Sequence, residues 1–156
     1  MKKIAAFFLI LCCCAPLFGA AHGKTTPSGW YDNFEAARAK AEKENKPLLL
    51  LFTGSDWCGY CIKLRKGALD KHDFKDYAKK NLVLVFIDSP RKTRLPAKLV
   101  VQNRELKSRY GSRGVPHTVL ISADGKVLGR ITGCPKDPGS YLERVRKIVE
   151  KTGSSD

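Results

Sequence analysis

The chain has 156 residues, which is long enough for one domain with a proper hydrophobic core. With 43% apolar and 28% charged residues, its composition is that of an ordinary globular protein and excludes a disordered or fibrous chain. The 29 Lys and Arg outnumber the 15 Asp and Glu, giving a net charge of +14. That excess favours acidic partners or an anionic membrane surface, although a well-solvated surface is the simpler explanation.

The N-terminus has the pattern of a secretory signal peptide. Lys2 and Lys3 precede an uninterrupted apolar run over residues 4–14, and Gly19 and Ala21 stand where a signal peptidase requires small residues. The apolar run is about half the roughly 20 residues that a membrane-spanning helix needs. We therefore predict a signal peptide over residues 1–21 and export of the mature chain to the periplasm.

The cysteines fall into two groups. Cys12 to Cys14 lie in the apolar run, and lipidation at one of them, as in a bacterial lipoprotein, is an alternative to simple cleavage. Cys58, Cys61 and Cys134 remain in the mature chain. An odd number in an oxidising compartment is not a framework of structural disulfides, and the close pair cannot staple distant elements. We interpret that pair as reactive and Cys134 as a small buried apolar residue.

The rest of the chain is predicted to form a linker over residues 22–30, one domain over 31–152 and a polar tail over 153–156. The first predicted helix runs from Asp32 or Asn33 to about Asn45, and the second begins near Cys58 and bends near Gly67. Two further helices are predicted over about 74–80 and about 98–110. A last helix closes the domain, and Leu142, Val145 and Val149 mark its apolar face. Strands are predicted over 48–52, 82–87, 115–122 and 126–132, the last two joined by a hairpin at Asp124-Gly125.

This order of elements defines the fold class. Strands connected by a helical crossover run parallel, whereas the two strands of a hairpin run antiparallel. The sequence therefore predicts an α/β fold with a mixed central sheet and helices on both faces.

The close cysteine pair lies in Trp57-Cys58-Gly59-Tyr60-Cys61, where a buried strand meets a helix. A cysteine at the start of a helix faces unpaired backbone N–H groups and the positive end of the helix dipole, and both favour thiolate. Because thiolate is the attacking species, Cys58 is the predicted nucleophile. Cys61 lies one turn further on and is the predicted resolving cysteine, while Gly59 and Tyr60 tune the pair.

A zinc site is the main alternative for these cysteines. It requires a second pair of ligands, and His22, His72 and His117 form no pair with ligand spacing. We predict no metal and no cofactor. His117 is expected to be a partly exposed neighbour of the site and not a catalytic base.

Val115-Pro116 is the second feature of the predicted site. A cis proline facing the cysteine pair exposes the backbone of Val115, which can then pair with an extended substrate by strand addition. A plain trans bond at the start of a strand is the alternative.

The motif around Cys58, taken together with Tyr110-Gly-Ser-Arg-Gly-Val-Pro116, resembles the thioredoxin family in sequence and in separation, over roughly residues 31–151. The resemblance implies a thioredoxin-like fold, a cis-Pro at position 116, and redox-active Cys58 and Cys61. The string Phe-Thr-Gly-Ser-Asp-Trp-Cys over residues 52–58 is similar to that of exported bacterial thioredoxin-like disulfide oxidoreductases.

The sequence departs from thioredoxin at two places. Thioredoxin has a buried aspartate on the strand before the motif, and the corresponding residue here is Leu51 or Phe52; Asp56 is a candidate substitute. The segment over residues 89–105 is longer than in thioredoxin and basic, and it is either a partner surface or a solvated loop.

The predicted function is reduction of disulfides in exported proteins, with a membrane thiol electron donor recharging the cysteine pair. Disulfide isomerisation is an alternative, as is a non-catalytic thioredoxin-like binding module or metallochaperone. Trp57 and Pro116 beside an intact cysteine pair favour an enzyme. We expect a monomer that does not bind nucleic acid.

Overall fold

The structure is a computed structural model that describes residues 25–153. The predicted signal peptide, the first residues of the predicted linker and residues 154–156 of the predicted tail lie outside the described residues. Trp30, the last residue of the predicted linker, is buried and packs edge-on against Phe86.

All the helices and strands that the sequence predicts between residues 31 and 152 are present, with bounds that differ by a few residues. The helices are α1 (Phe34–Glu44), α2 (Gly59–Leu64), α3 (His72–Asn81), α4 (Ala97–Tyr110) and α5 (Tyr141–Gly153). The strands are β1 (Leu48–Thr53), β2 (Val83–Asp88), β3 (His117–Ile121) and β4 (Val127–Thr132). A π-helical turn (Arg65–Leu69) continues α2, and a short 3-10 helix (Pro138–Ser140) precedes α5.

The four strands form one mixed sheet in the order β2-β1-β3-β4. β1 pairs with β2 in parallel and with β3 antiparallel, and β3 pairs antiparallel with β4. The predicted mixed sheet is therefore confirmed. Every residue of β1, β2 and β3 is buried, as expected for strands that are covered on both faces.

The sheet separates two hydrophobic clusters. Alternate β1 residues point to opposite faces, so Leu49 and Leu51 join the cluster under α3 and α5, whereas Leu50 and Phe52 join the cluster under α1 and α4. Helices cover both faces, which confirms the predicted layer arrangement.

The ends of α1 follow from its flanking residues. The side chain of Asn33 accepts a hydrogen bond from the backbone N–H of Ala36, so Asn33 is the N-cap that the sequence allowed. Asn45 ends the helix in the left-handed conformation, with φ of 50°, and Pro47 follows. Because β1 begins only a few residues after α1 ends, the end of α1 determines where β1 starts and thus where the cysteine motif that follows β1 lies.

The predicted bend near Gly67 corresponds to the π-helical turn. A Cβ at Gly67 would lie only 2.7 Å from the Cβ of Pro138, so glycine lets the segment before α5 pack closely there. Among the described residues, no helix is both long enough and apolar enough to cross a membrane.

Candidate active site

Cys58 and Cys61 form a disulfide at the start of α2, with their Cα atoms 5.2 Å apart. After β1 the chain turns at Gly54, whose carbonyl accepts the backbone N–H of Cys58 at 2.9 Å. Cys58 is the N-cap of α2, and its Sγ accepts the backbone N–H of Cys61 at 3.2 Å. The predicted position of the pair, at the junction of a buried strand and a helix, is confirmed.

The two sulfurs face different surroundings. Cys58 lines an open groove of about 430 Å³, together with Trp57, Gly59, Tyr60 and Val115. Cys61 instead borders a small, partly enclosed pocket, which it shares with Thr53, Leu51 and Arg65 among others. A partner disulfide can therefore approach the pair from the side of Cys58.

Two aromatic side chains form walls of this groove. Trp57 is 37% exposed and Tyr60 is 69% exposed, which is unusual for large apolar rings. Exposed aromatic surface beside a cleft is typical of a binding site for another molecule. The sequence-predicted residues Trp57, Gly59, Tyr60 and Val115 thus meet around Cys58.

Val115 lies across the groove, where its carbonyl oxygen is 3.7 Å from the Sγ of Cys58. The Val115–Pro116 peptide bond is cis. Pro116 itself is buried, and its carbonyl accepts the backbone N–H of Gly133 at 2.9 Å. Pro116 therefore lies behind the groove, and the backbone of Val115 forms the wall.

The loop that carries Cys58, which we call the redox loop (residues 54–58), is tied to the end of β2. The carboxylate of Asp88 accepts the backbone N–H of Ser55 at 2.9 Å and its hydroxyl at 2.6 Å. The amide of Asn103 on α4 donates to the carbonyl of Asp88 at 2.9 Å. Because Asp88 and Asn103 are buried and Ser55 is partly buried, these hydrogen bonds hold the redox loop in one position.

A second set of contacts ties the redox loop to residues 89–96, which we call the basic loop. The carboxylate of Asp56 accepts the backbone N–H groups of Arg91, Lys92 and Thr93 at 2.9, 2.7 and 3.1 Å. These hydrogen bonds lower the pKa of Asp56 below its ordinary value. Asp56 is therefore engaged by the basic loop.

The indole of Trp57 completes this connection. Its Nε1 donates to the carbonyl of Ser89 at 2.8 Å, and the guanidinium of Arg91 lies 3.9 Å from the ring centroid. A cation at that distance over an indole is attracted by the ring electrons. The basic loop thus fixes the orientation of Trp57, which forms one wall of the groove.

Residues 34–147 match the thioredoxin-like domain. The chain belongs to the thioredoxin-like family. It is 34% identical over 120 residues to the disulfide bond reductase DsbH of Chlamydia pneumoniae, an alignment that covers 77% of this chain and 72% of DsbH. With its intact cysteine pair, the chain is a thiol–disulfide oxidoreductase.

Solved structures agree with this membership. A structure of a DsbH oxidoreductase superposes with a TM-score of 0.72 at 35% identity, covering 78% of this chain and 83% of that one. A thioredoxin from Thermus thermophilus superposes with a TM-score of 0.62 at 21% identity, covering 80% and 89%, and shows the shared thioredoxin-like fold.

This thioredoxin-like chain has apolar residues where thioredoxin has its buried aspartate. Leu51 and Phe52 are both buried, and they pack in the two different clusters of the core. Asp56 is held by the basic loop, and Asp88 is held by Ser55. The carboxylate that borders the pocket of Cys61 is Asp70, which is 3.7 Å from Arg65.

The expectation that His117 is partly exposed was wrong. The residue is in β3, only 7% exposed, with its ring 6.1 Å from that of Phe52 and its Nδ1 3.2 Å from the hydroxyl of Thr132. Burial, aided by the charge of Arg130, lowers the pKa of His117. Cys134 is half-buried and packs against the core, close to the expected small apolar role.

Sequence reasoning missed part of the groove. Ser89, Lys107 and Arg113 line it beside Cys58, although they come from three different parts of the chain. The one local signal was Arg113, which stands two residues before Val115. The positions of Ser89 and Lys107 depend on how α4 crosses the sheet, which no local pattern specifies.

Proposed function

We propose that this enzyme reduces disulfides of exported proteins, with Cys58 as the attacking thiol and Cys61 as the resolving thiol. The observation that carries the proposal is the different placement of the two sulfurs. Cys58 begins the helix and lines the open groove, whereas Cys61 lies one helical turn further on and borders the small, partly enclosed pocket. The helix start favours thiolate at Cys58, and the groove gives that thiolate access to a partner.

The exchange proceeds in two steps. The Cys58 thiolate attacks one sulfur of a substrate disulfide, forms a mixed disulfide and releases the other substrate sulfur as a thiolate. Cys61, deprotonated, then attacks Sγ of Cys58, breaks the mixed disulfide and releases the second substrate thiolate. Two electrons pass to the substrate, and the enzyme is left with the Cys58–Cys61 disulfide that the structure contains.

We infer that the substrate backbone binds along Val115. Its carbonyl is 3.7 Å from Sγ of Cys58, so an extended segment whose disulfide meets Cys58 can pair with Val115 by strand addition. Trp57 and Tyr60 then supply apolar contact on either side of the attacked bond. Pro116 positions Val115 from behind.

The direction of transfer depends on how strongly the protein stabilises the Cys58 thiolate, because a stabilised reduced form makes a stronger oxidant. Gly59-Tyr60 contributes no cation between the cysteines. Lys107 and Arg113, which line the groove, stabilise the thiolate by their positive charge, but both are exposed and solvent screens exposed charges. The name of the relative DsbH, a disulfide bond reductase, favours the reducing direction as well.

The compartment and the electron donor are part of the same proposal. The signal pattern over residues 1–21 supports export to the periplasm, with lipidation at Cys12 to Cys14 as the minor alternative. Because each turnover leaves the enzyme oxidised, an exported reductase needs a thiol donor at the membrane to restore Cys58 and Cys61.

Trapping tests the assignment of the two cysteines. Cys61→Ser should accumulate mixed disulfides between Cys58 and exported proteins, seen on non-reducing gels, because attack survives while resolution is lost. Cys58→Ser is the matched control and should trap nothing. Failure of Cys61→Ser to trap any exported protein would contradict turnover on such substrates.

The equilibrium potential of the pair against glutathione tests the direction. We expect a value near the reducing end of the family range, which extends from about −270 to about −120 mV. A potential above about −150 mV would instead make the enzyme an oxidase.

A further inference from the structure

A cleft of about 540 Å³ lies between the basic loop and α4. Four cationic side chains line it, namely Arg91, Arg94, Arg104 and Lys107. Arg94, Arg104 and Lys107 are exposed, so their charges face whatever enters.

The positive charge of this basic cleft is only partly offset from within. Asp88 is the one acidic residue of the lining, so four cations and one carboxylate leave a formal charge of +3, and both oxygens of that carboxylate accept hydrogen bonds from Ser55. Over residues 25–153, the ion pairs of the structure involve none of Arg94, Arg104 and Lys107. The cleft therefore offers several unpaired donors to an anionic ligand.

The basic cleft continues into the groove of Cys58. Ser89 and Lys107 line both, and Arg91 at the edge of the cleft stacks on Trp57 at the edge of the groove. A chain whose disulfide meets Cys58 can thus extend into the cleft. Val100, which is 43% exposed, adds apolar contact there for the stems of acidic side chains.

We propose that the basic cleft binds an acidic segment that flanks the target disulfide of a protein substrate. The inference rests on the proposed function, since it names a substrate class for the same site. Continuity with the groove favours a peptide over a lipid headgroup, because only a ligand held at Cys58 gains from binding both surfaces at once. Rim charges of this kind raise the rate of encounter and select among partners.

Two cyclic disulfide peptides with identical cysteine spacing test the proposal, one flanked by three Glu and the other by three Gln. The readout is the second-order rate constant for oxidation of the reduced enzyme by each peptide, measured by acid quench and thiol counting. At an ionic strength of about 20 mM the Glu peptide should react about tenfold faster, and at about 0.5 M the advantage should fall to about twofold.

Arg94→Gln combined with Arg104→Gln should slow the Glu peptide about threefold and leave the Gln peptide within about twofold. Lys71→Gln combined with Lys80→Gln is the matched control, because it removes the same charge from exposed residues that line neither the cleft nor the groove. Its ratio of rates should equal that of the wild type.

Equal rates for the two peptides with the wild-type enzyme would overturn the basic cleft as a recognition site while leaving the proposed function intact. Equal slowing of both peptides by the Arg94/Arg104 variant would also overturn it, because the two arginines would then not distinguish the acidic peptide from the neutral one. If the Arg94/Arg104 variant lost binding to phosphatidylglycerol vesicles while its ratio of Glu-peptide to Gln-peptide rates stayed that of the wild type, the cleft would be a membrane-binding surface and the proposal would be overturned. Failure of either peptide to react at all would overturn the proposed function itself.

Discussion

Gly54→Ala tests whether the redox loop holds Trp57 in one orientation. A Cβ at Gly54 would lie 2.5 Å from Cε2 of the Trp57 ring and 2.6 Å from Nε1. Ordinary carbon contacts are about 3.5–4.0 Å, so the ring has to move by about 1 Å. That shift lengthens the 2.8 Å hydrogen bond from Nε1 to Ser89 beyond bonding distance and removes the ring from Arg91.

The expected loss of stability follows from these contacts. The lost hydrogen bond costs about 0.5–1.5 kcal/mol and the lost contact with Arg91 about 0.5–1 kcal/mol. Replacing Gly by Ala recovers about 0.4–1 kcal/mol by restricting the unfolded chain. We therefore expect the free energy of unfolding of the oxidised protein to fall by about 1 kcal/mol, the middle of a range of about 0–2 kcal/mol.

Urea unfolding measures this free energy, and acrylamide quenching of tryptophan fluorescence measures the position of Trp57, because Trp30 is buried. Gly54→Ala should increase quenching. Gly59→Ala is the matched control, since a Cβ there has nothing within 4 Å. It should be as stable as the wild type or more stable, with quenching unchanged.

If Gly54→Ala and Gly59→Ala had the same unfolding free energy and the same quenching, the packing of Gly54 against Trp57 would not be what orients the ring. A stable Gly54→Ala with a displaced indole would mean that the contacts to Ser89 and Arg91 contribute nothing to stability.

Three further predictions concern buried and half-buried side chains. The hydroxyl oxygens of Tyr141 and Thr118 are 2.7 Å apart and buried, so Tyr141→Phe and Thr118→Val each leave one hydroxyl unpaired and should each lower the free energy of unfolding by about 1–2 kcal/mol. In urea unfolding, the double variant should lose less than the sum of the two single losses. Burial lowers the pKa of His117 in the folded protein, so the unfolded chain takes up the proton first as pH falls. The contribution of His117 to the free energy of unfolding should therefore be complete above the unfolded pKa of about 6.5 and should decline below it. Urea unfolding between about pH 8 and pH 5 should show a smaller decline for His117→Asn than for the wild type. Cys134→Ala should leave the rate on a disulfide peptide nearly unchanged, and a loss above about tenfold in a folded variant would show that Cys134 takes part in the reaction.

Much of this architecture is encoded locally and so could be predicted. The continuous apolar run that forms β1 and the Asp124-Gly125 turn are signals read within a few residues. The cysteine pair is also local, since one helical turn brings Cys58 and Cys61 together. Its place at the start of a helix followed from the strand and helix on either side.

The rest depends on distant pairs. Asp56 meets the basic loop 35 to 37 residues away, and nothing near Asp56 indicates those partners. His117 is buried because β3 places it beside Phe52 of β1, and a histidine in an apolar strand gives no sign of which neighbour will cover it. The basic cleft was visible only as a run of charges, because its far wall comes from α4.

The backbone conformation of the basic loop is held by hydrogen bonds that do not depend on the side chains of the loop. Asp56 holds main-chain N–H groups at residues 91–93, and these groups are the same whatever side chains those residues carry. Lys92 and Arg94 can therefore be exchanged for neutral or acidic residues while the loop keeps its course past the redox loop. The substrate preference that we propose for the basic cleft can therefore be changed by side-chain substitution while the hydrogen bonds between Asp56 and the main chain of the loop are retained.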